Sequence, residues 1–338
     1  MQYVPTVSTN EPRPHLSCAF APTPDTPAHI ALAERLGYDR AWVFDTPALQ
    51  LDVWVTLALA AQQTSRIGLG PGVLIPHLRH PMVTASAIAH LAHLAPGRLE
   101  VGVGAGFTGR NAMGQRGLPW AAVESYVQTV QRLLAGEDVE VDHATTRMLH
   151  WPGQAPDRPI DVPWRIAIAG PKGLAVAARL GASIFTSRPS PGSSYDGFPG
   201  VTAMVSGAIL DPGEALDTPR VMATAGPGVA ILYHAAHERG DGSVTDLPNG
   251  ERFARLVDQI PTAERHLAVH RGHLTMLNDI DAQVLDAEAM QRSVLMCQAD
   301  ELPARIADYA AMGVTEIAYE PMGDIPDALE RFAAAGAD

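Results

Sequence analysis

Three side chains able to carry charge, His77, Arg79 and His80, crowd the end of the stretch "RIGLGPGVLIPHLRHP", Arg66 to Pro81. The stretch starts as an apolar run, is interrupted at Gly70-Pro71-Gly72, and resumes at Val73-Leu74-Ile75. Histidine can move a proton near neutral pH, so His77 and His80 are candidates for that role. A second group is "GAGFTGRN", Gly104 to Asn111. There Gly104, Ala105 and Gly106 let backbone approach a ligand and present amide N–H groups, and Arg110 adds a charge. A third is "GPKG", Gly170 to Gly173. It follows an apolar run and opens a helical pattern, so the amides beside Gly170, Pro171 and Gly173 and the helix dipole favour a phosphate. Lys172 adds positive charge there. Asp45 and Thr46 close the run "RAWVF".

Histidines elsewhere suggest different chemistry. "RHLAVHRGH" sets His266, His270 and His273 at i, i+4 and i+7, one face of a helix, and "YHAAHE" adds His234, His237 and Glu238. Such spacing suits zinc or iron. No His-Xaa-His follows the first apolar run, where barrel metal hydrolases usually begin their site. These histidines, His270 first, are therefore read as substrate-pocket or core groups, and no metal is assigned. A metal-dependent hydrolase is kept as an alternative.

These residues fall at the ends of short apolar runs that alternate with helical patterns. The runs are "LSCAF", "RAWVF", the start of the stretch at Arg66, "RLEVGVG", "WRIAIAG", "ASIFTS", "VTAMVSGAIL" and "TEIAYEP". "EDVEVDHATTRMLHWPG" reads as a hairpin excursion. Strand–helix alternation implies a parallel sheet. Eight units in 338 residues fit a (β/α)8 TIM barrel with an insertion before the last strand, with a doubly wound open sheet as the alternative. The expected organisation is a tail over 1–14 and one barrel domain over 15–338, with an irregular insertion at about 189–300. In such a barrel the site lies at the carboxyl ends of the strands, where Asp45, Gly72, Gly104, Gly170 and Thr186-Ser187-Arg188 all fall. The "TEIAYEP" strand, Tyr126, Tyr309 and Met312 read as structural, and Cys18 as a small buried residue able to face the barrel interior.

Composition narrows the class. Apolar residues make up 46% and charged residues 18%, as in soluble globular proteins. A net charge of −13 argues against nucleic acid or an anionic membrane surface as partner. Two cysteines make no disulfide framework, which fits a reducing cytoplasm. The first residues lack the pattern of a signal peptide, and no apolar run reaches the roughly 18 residues of a membrane span.

"LAERLGYDRAWVFDT", "TSRIGLGPGVLIPHLRHP", "LAPGRLEVGVGAGFTGR" and "GPKGLAVAARLGASIF" together resemble the bacterial luciferase-like superfamily. That superfamily includes flavin monooxygenases and enzymes using the deazaflavin coenzyme F-420. The resemblance runs from about Ala31 to Phe185 and returns at Ala304–Tyr319. It implies a TIM barrel with a flavin-like ring in the mouth, and a non-prolyl cis peptide at Gly72-Val73 supporting that ring. "AGPKGLAVAARLG" is more similar to the deazaflavin enzymes, methylenetetrahydromethanopterin reductase among them. Two departures stand out. Deazaflavin dehydrogenases carry a catalytic His directly after the strand-two Asp, where this chain has Thr46, and a Glu where it has Phe107. Thr46 and Phe107 are therefore read on the substrate side, Phe107 as an apolar wall.

The resemblance thus implies F-420-dependent hydride transfer to or from a small organic substrate. The alternative is an FMN-dependent monooxygenase using reduced flavin and O2, which would need a partner flavin reductase. A non-catalytic flavin-binding protein is a further alternative. A homodimer is implied as well.

Overall fold

The computed structural model describes residues 13–168, 170–187, 189 and 195–336. Most of the expected tail, together with Arg188, lies outside the described residues. Each apolar run forms a strand: β1 (His15–Phe20), β2 (Arg40–Val43), β3 (Gly68–Pro71), β4 (Val101–Val103), β5 (Trp164–Ala167), β6 (Ser183–Thr186), β7 (Val201–Leu210) and β8 (Glu316–Glu320). All pairings among them are parallel, in the order β3-β2-β1-β8-β7-β6-β5-β4.

Isolated bridges close the remaining seam into a barrel. Leu69 pairs with Leu99 and Leu74 with Val103, and Leu74 N–H donates to the Gly102 carbonyl at 2.8 Å. Between these bridges the third strand advances five residues and the fourth only four. The extra residue is a bulge, and the Gly72-Val73 peptide within it is cis. This accounts for the Gly-Pro-Gly interruption. A Cβ on Gly72 would lie 2.9 Å from Trp42 Cβ, so the bulge needs glycine to pass over the indole.

The outer helices begin as their sequences dictate. Asp52 caps α2 (Val53–Gln63) by accepting from the Trp54 and Val55 amides, and His80 caps α3 (Pro81–Leu94). Further round lie α1 (Thr26–Leu36), α4 (Phe107–Asn111), α5 (Trp120–Ala135) and α6 (Pro171–Arg179). Gly37 ends α1 in the left-handed conformation, as expected of a residue just past a helix end.

Alternation along the strands sends one set of side chains outward to the helices and the other into the barrel. Cys18 belongs to the outer set, packed with Ile30, Tyr38 and Leu57 rather than in the barrel interior. Its neighbour Ala19 faces inward with Trp42, Phe44, Phe185 and Ala318. At the amino-terminal end the interior is filled by a charged quartet. Arg40 bonds Glu100 at 2.9 Å, and Arg165 bonds Glu100 at 2.7 Å and Glu316 at 2.9 Å. Trp42 donates to Glu316 at 2.8 Å, with both guanidinium groups within 5.5 Å of its ring. A cleft of about 280 Å³ beside this quartet, lined by Asp39, Arg66, Arg98 and Asp161, opens at the same end, which in this fold serves stability.

The expected span 189–300 contains β7, a full member of the barrel wall. The excursion proper follows Leu210 and returns through Leu295–Gln298, which pairs with β7. It carries α7 (Pro219–Arg239), α8 (Gly250–Asp258) and α9 (Arg265–Val269), and a core of its own around Val229, Tyr233, Phe253 and Met290. No helix among the described residues is long and apolar enough to cross a membrane.

Candidate active site

The carboxyl ends of β3, β4 and β5 meet in a small apolar bed. A Cβ added at Gly104 would lie 2.7 Å from Val73 Cγ2 and 3.3 Å from Ala167 Cβ. Only glycine therefore keeps the wall beside Val73 flat. Gly106 follows in the left-handed conformation (φ 80°) and turns the chain into α4. Ala105 is half-buried, and its carbonyl accepts from the Leu118 amide at 2.8 Å.

Beyond β5 the start of α6 is open. Gly170 has no heavy atom within 4 Å of where a Cβ would stand, and no side chain caps the helix. Pro171 and Lys172 are exposed, whereas Gly173 is packed against the Trp120 ring. Pro171 has no N–H, and the Gly173 and Leu174 amides donate to the Gly170 carbonyl at 3.1 and 3.3 Å, so the Lys172 amide and ammonium together with the helix dipole make the place for an anion.

Asp45 is not left facing a ligand. Its carboxylate accepts two bonds from Arg79 Nη1, at 2.9 and 2.7 Å, and one from the Ile75 amide at 3.2 Å. Burial nonetheless holds the carboxyl above its ordinary value. The other arm of Arg79 reaches Asp52 at 2.8 Å. Tyr126, whose phenol burial pushes up, donates to the Arg79 carbonyl at 3.1 Å. Asp45 and Arg79 thus tie the exits of β2 and β3 to the cap of α2. Thr46 is buried and donates to Gln50.

The remaining candidates separate. His77 is exposed on the rim, and partial burial followed by the nearby Arg110 charge lowers its pKa. Arg110 donates to the Arg116 carbonyl. His80 is engaged structurally: Nδ1 accepts from the Met82 amide at 3.1 Å, and Nε2 lies 3.7 Å from Asp142 on the hairpin of Val139–Val141 and Ala144–Thr146. Phe107 is 54% exposed, so its ring lies on the rim instead of walling an enclosed pocket.

His270 lies inside the excursion. The i, i+4, i+7 histidines do not share a helix face, because α9 stops at Val269 and Gly272 and Leu274 adopt positive φ. His270 and His273 instead meet His234 of α7, all three buried. Burial, then the neighbouring His234 and His270, hold the His273 pKa well below the usual imidazole range. His266 is elsewhere, beside Gly114.

The "TEIAYEP" strand, structural by its sequence, brings one further residue to the mouth. Glu320 ends β8, and the alternation Glu316, Ala318, Glu320 directs it inward above the Trp42 layer. It is 8% exposed, and among the described residues no donor reaches its carboxyl. Burial alone pushes its pKa up to about 7. The two carboxylates four residues apart on an otherwise apolar strand were the signal for it. The excursion supplies a second unexpected residue, Leu274, which packs on the interior cluster of Ala19, Trp42, Phe44 and Phe185. It is held over the mouth by Gln50, which donates to the His273 carbonyl, and by Asn111, which donates to Glu238 at 2.7 Å.

A barrel with this bulged third strand, glycine-rich fourth strand and open sixth helix matches the luciferase-like monooxygenase family model over residues 5–316. The chain belongs to that family. Among curated relatives of this luciferase-like protein is an F-420-dependent glucose-6-phosphate dehydrogenase of Beutenbergia cavernae. It is 30% identical over 350 aligned positions, covering 93% of this chain and 92% of the relative. A 5,10-methylenetetrahydromethanopterin reductase of Methanolobus tindarius is 28% identical, over 88% and 90% of the two chains. Among solved structures, the coenzyme F-420-dependent tetrahydromethanopterin reductase of Methanopyrus kandleri superposes with a TM-score of 0.68 at 21% identity. The match spans 95% of this chain and 98% of that one, and it shows the shared barrel. The protein is an oxidoreductase of the luciferase-like kind, whose members use F-420 or FMN on small molecules.

Proposed function

We propose that this protein transfers a hydride between coenzyme F-420 and a small organic substrate, with Glu320 exchanging the accompanying proton. The observation that carries the reading is the pairing of a flat apolar bed with an anion-ready helix start on one rim. Val73, Gly104 and Ala167 suit a planar ring, and the open start of α6 with its dipole, the Lys172 amide and the Lys172 ammonium suits a phosphate. The residues present therefore fit the cofactor. When bound, the deazaflavin supplies or accepts the hydride.

The chain's own groups do the rest. Reduction of a polarised double bond adds one hydride to one atom and one proton to the other; oxidation removes both. A carboxyl titrating at about pH 7 is divided between acid and base at neutral pH and suits either direction. Its burial keeps it apart from bulk water. Thr46 and Phe107 stand where the deazaflavin dehydrogenases carry His and Glu, which favours an unsaturated or imine substrate over a sugar or alcohol.

A second reading is an FMN-dependent monooxygenase served by a flavin reductase. The apolar mouth favours it, as does 29% identity to the 4-hydroxyprotoasukamycin monooxygenase of Streptomyces nodosus subsp. asukaensis over 64% of this chain. The homodimer belongs to the same proposal. Val55 and Leu59 on α2 and Val83 on α3 are large apolar residues left exposed, and sedimentation of the purified chain tests it.

Titrating apoprotein with F-420 and with FMN, read by fluorescence, separates the readings. Tight F-420 binding without FMN binding supports hydride transfer. Preference for reduced FMN with oxygen uptake replaces it by the second reading.

A further inference from the structure

We infer that His234, His270 and His273 form a buried binding site for one divalent transition-metal ion, independent of the cofactor site. One ring nitrogen of each lies within 4.8 Å of those of the other two. The Nδ1 atoms of His234 and His273 are 3.0 Å apart, and those of His270 and His273 are 3.3 Å apart. Two ligands about 2.0–2.1 Å from a tetrahedral ion stand roughly 3.3–3.4 Å apart, close to these separations.

Proton counting favours an ion over a simple hydrogen-bonded trio. A carboxylate can only accept, so Asp281, 2.9 Å from His234 Nε2, holds that ring's proton on Nε2. Glu238 does the same for His270 Nε2. In the neutral rings both Nδ1 lone pairs then point inward at His273 Nδ1. That atom has at most one proton to give, so one contact is left as lone pair against lone pair. Doubly protonating the trio would set two imidazolium groups side by side in the interior. His273 Nε2 has no partner in any of these states.

A cation on the three Nδ1 atoms removes the conflict. Asp281 and Glu238 become the outer carboxylates that orient metal-bound histidines. Their two negative charges balance the ion, and among the described residues no Lys or Arg pairs with either one. Imidazole ligands select zinc, iron, copper or nickel over magnesium or calcium. All three rings are buried, and three protein ligands leave the fourth tetrahedral position to a water. The ion would clasp α7 to the turn after α9 and so set Leu274, next to His273, over the barrel mouth.

The test uses the full chain without a histidine tag, made in zinc-supplemented medium. Elemental analysis should find about one zinc per chain, and a His234→Gln/His270→Gln/His273→Gln variant of native circular dichroism should have lost it. Metal-stripped wild type titrated with cobalt(II) should develop the visible bands of a nitrogen-ligated tetrahedral ion. Asp281→Asn should weaken that titration by roughly 10- to 100-fold. If the triple variant does not fold, the cobalt titration of wild type still decides. Substoichiometric zinc with a featureless cobalt titration would overturn the inference, and so would zinc retained equally by the folded triple variant.

Discussion

Arg79 grips Asp45 through both carboxylate oxygens while its second arm holds Asp52, so one guanidinium joins the exits of two barrel strands to a helix cap. The pair is nearly sealed from water: the side chains are 14% and 1% exposed. A charge left alone in such a place is costly. Arg79→Met should destabilise the protein by about 3–5 kcal/mol. Arg79→Met with Asp45→Asn should recover part of that loss, since no buried charge is then stranded. Urea denaturation of wild type and the two variants measures both; equal losses in the single and double variants would mean that Asp45 carries no charge.

Glu320 should make stability depend on pH. Its pKa rises from 4.5 to about 7 on burial, so between those values the folded chain binds more protons than the unfolded chain. Stability therefore falls as pH rises through this window. The total contribution is about 3 kcal/mol, lost by pH 8. In Glu320→Gln this part of the slope should disappear, seen as a melting temperature that changes less between pH 5 and pH 8 than that of wild type. Parallel profiles for the two proteins would show that Glu320 titrates normally.

The same substitution probes the proton. Glu320→Gln should lower turnover by roughly 10²- to 10⁴-fold and remove a limb near pH 7 from the rate profile, leaving cofactor affinity unchanged. Retention of the limb would move the proton to another group, with His77 the next to test.

Flatness of the bed beside Val73 is open to a one-carbon change. Gly104→Ala places a methyl 2.7 Å from Val73 Cγ2 and pushes that side chain toward the ring position. Overpacking of this kind costs about 1–3 kcal/mol of stability, and the displaced Val73 side chain obstructs the ring, so cofactor affinity should drop as well. Fluorescence titration reads the loss; unaltered affinity would place the ring elsewhere.

Much of the barrel was legible because period-two apolar runs and their turn residues are local. The Gly70-Pro71-Gly72 interruption marked the bulge, and "GPKG" marked a helix start that the structure leaves open. What could not be read depends on contacts distant in sequence. Arg79 finds Asp45 from 34 positions away, and His234 finds His273 from 39. The histidine spacing misled because Leu274 and Gly272 take positive φ, which no helical periodicity reveals. Glu320 was legible in principle: the period of two that faces Glu316 inward also faces Glu320 inward. Its meaning needed its burial, which no local pattern reveals.

The most direct test of hydride transfer at this rim is the titration of metal-replete apoprotein with oxidised F-420 and with FMN under identical conditions. Hydride transfer through this rim predicts saturable F-420 binding that Lys172→Ala weakens and no measurable FMN binding. Binding of neither, or of F-420 with no effect of Lys172→Ala or Gly104→Ala, would contradict it.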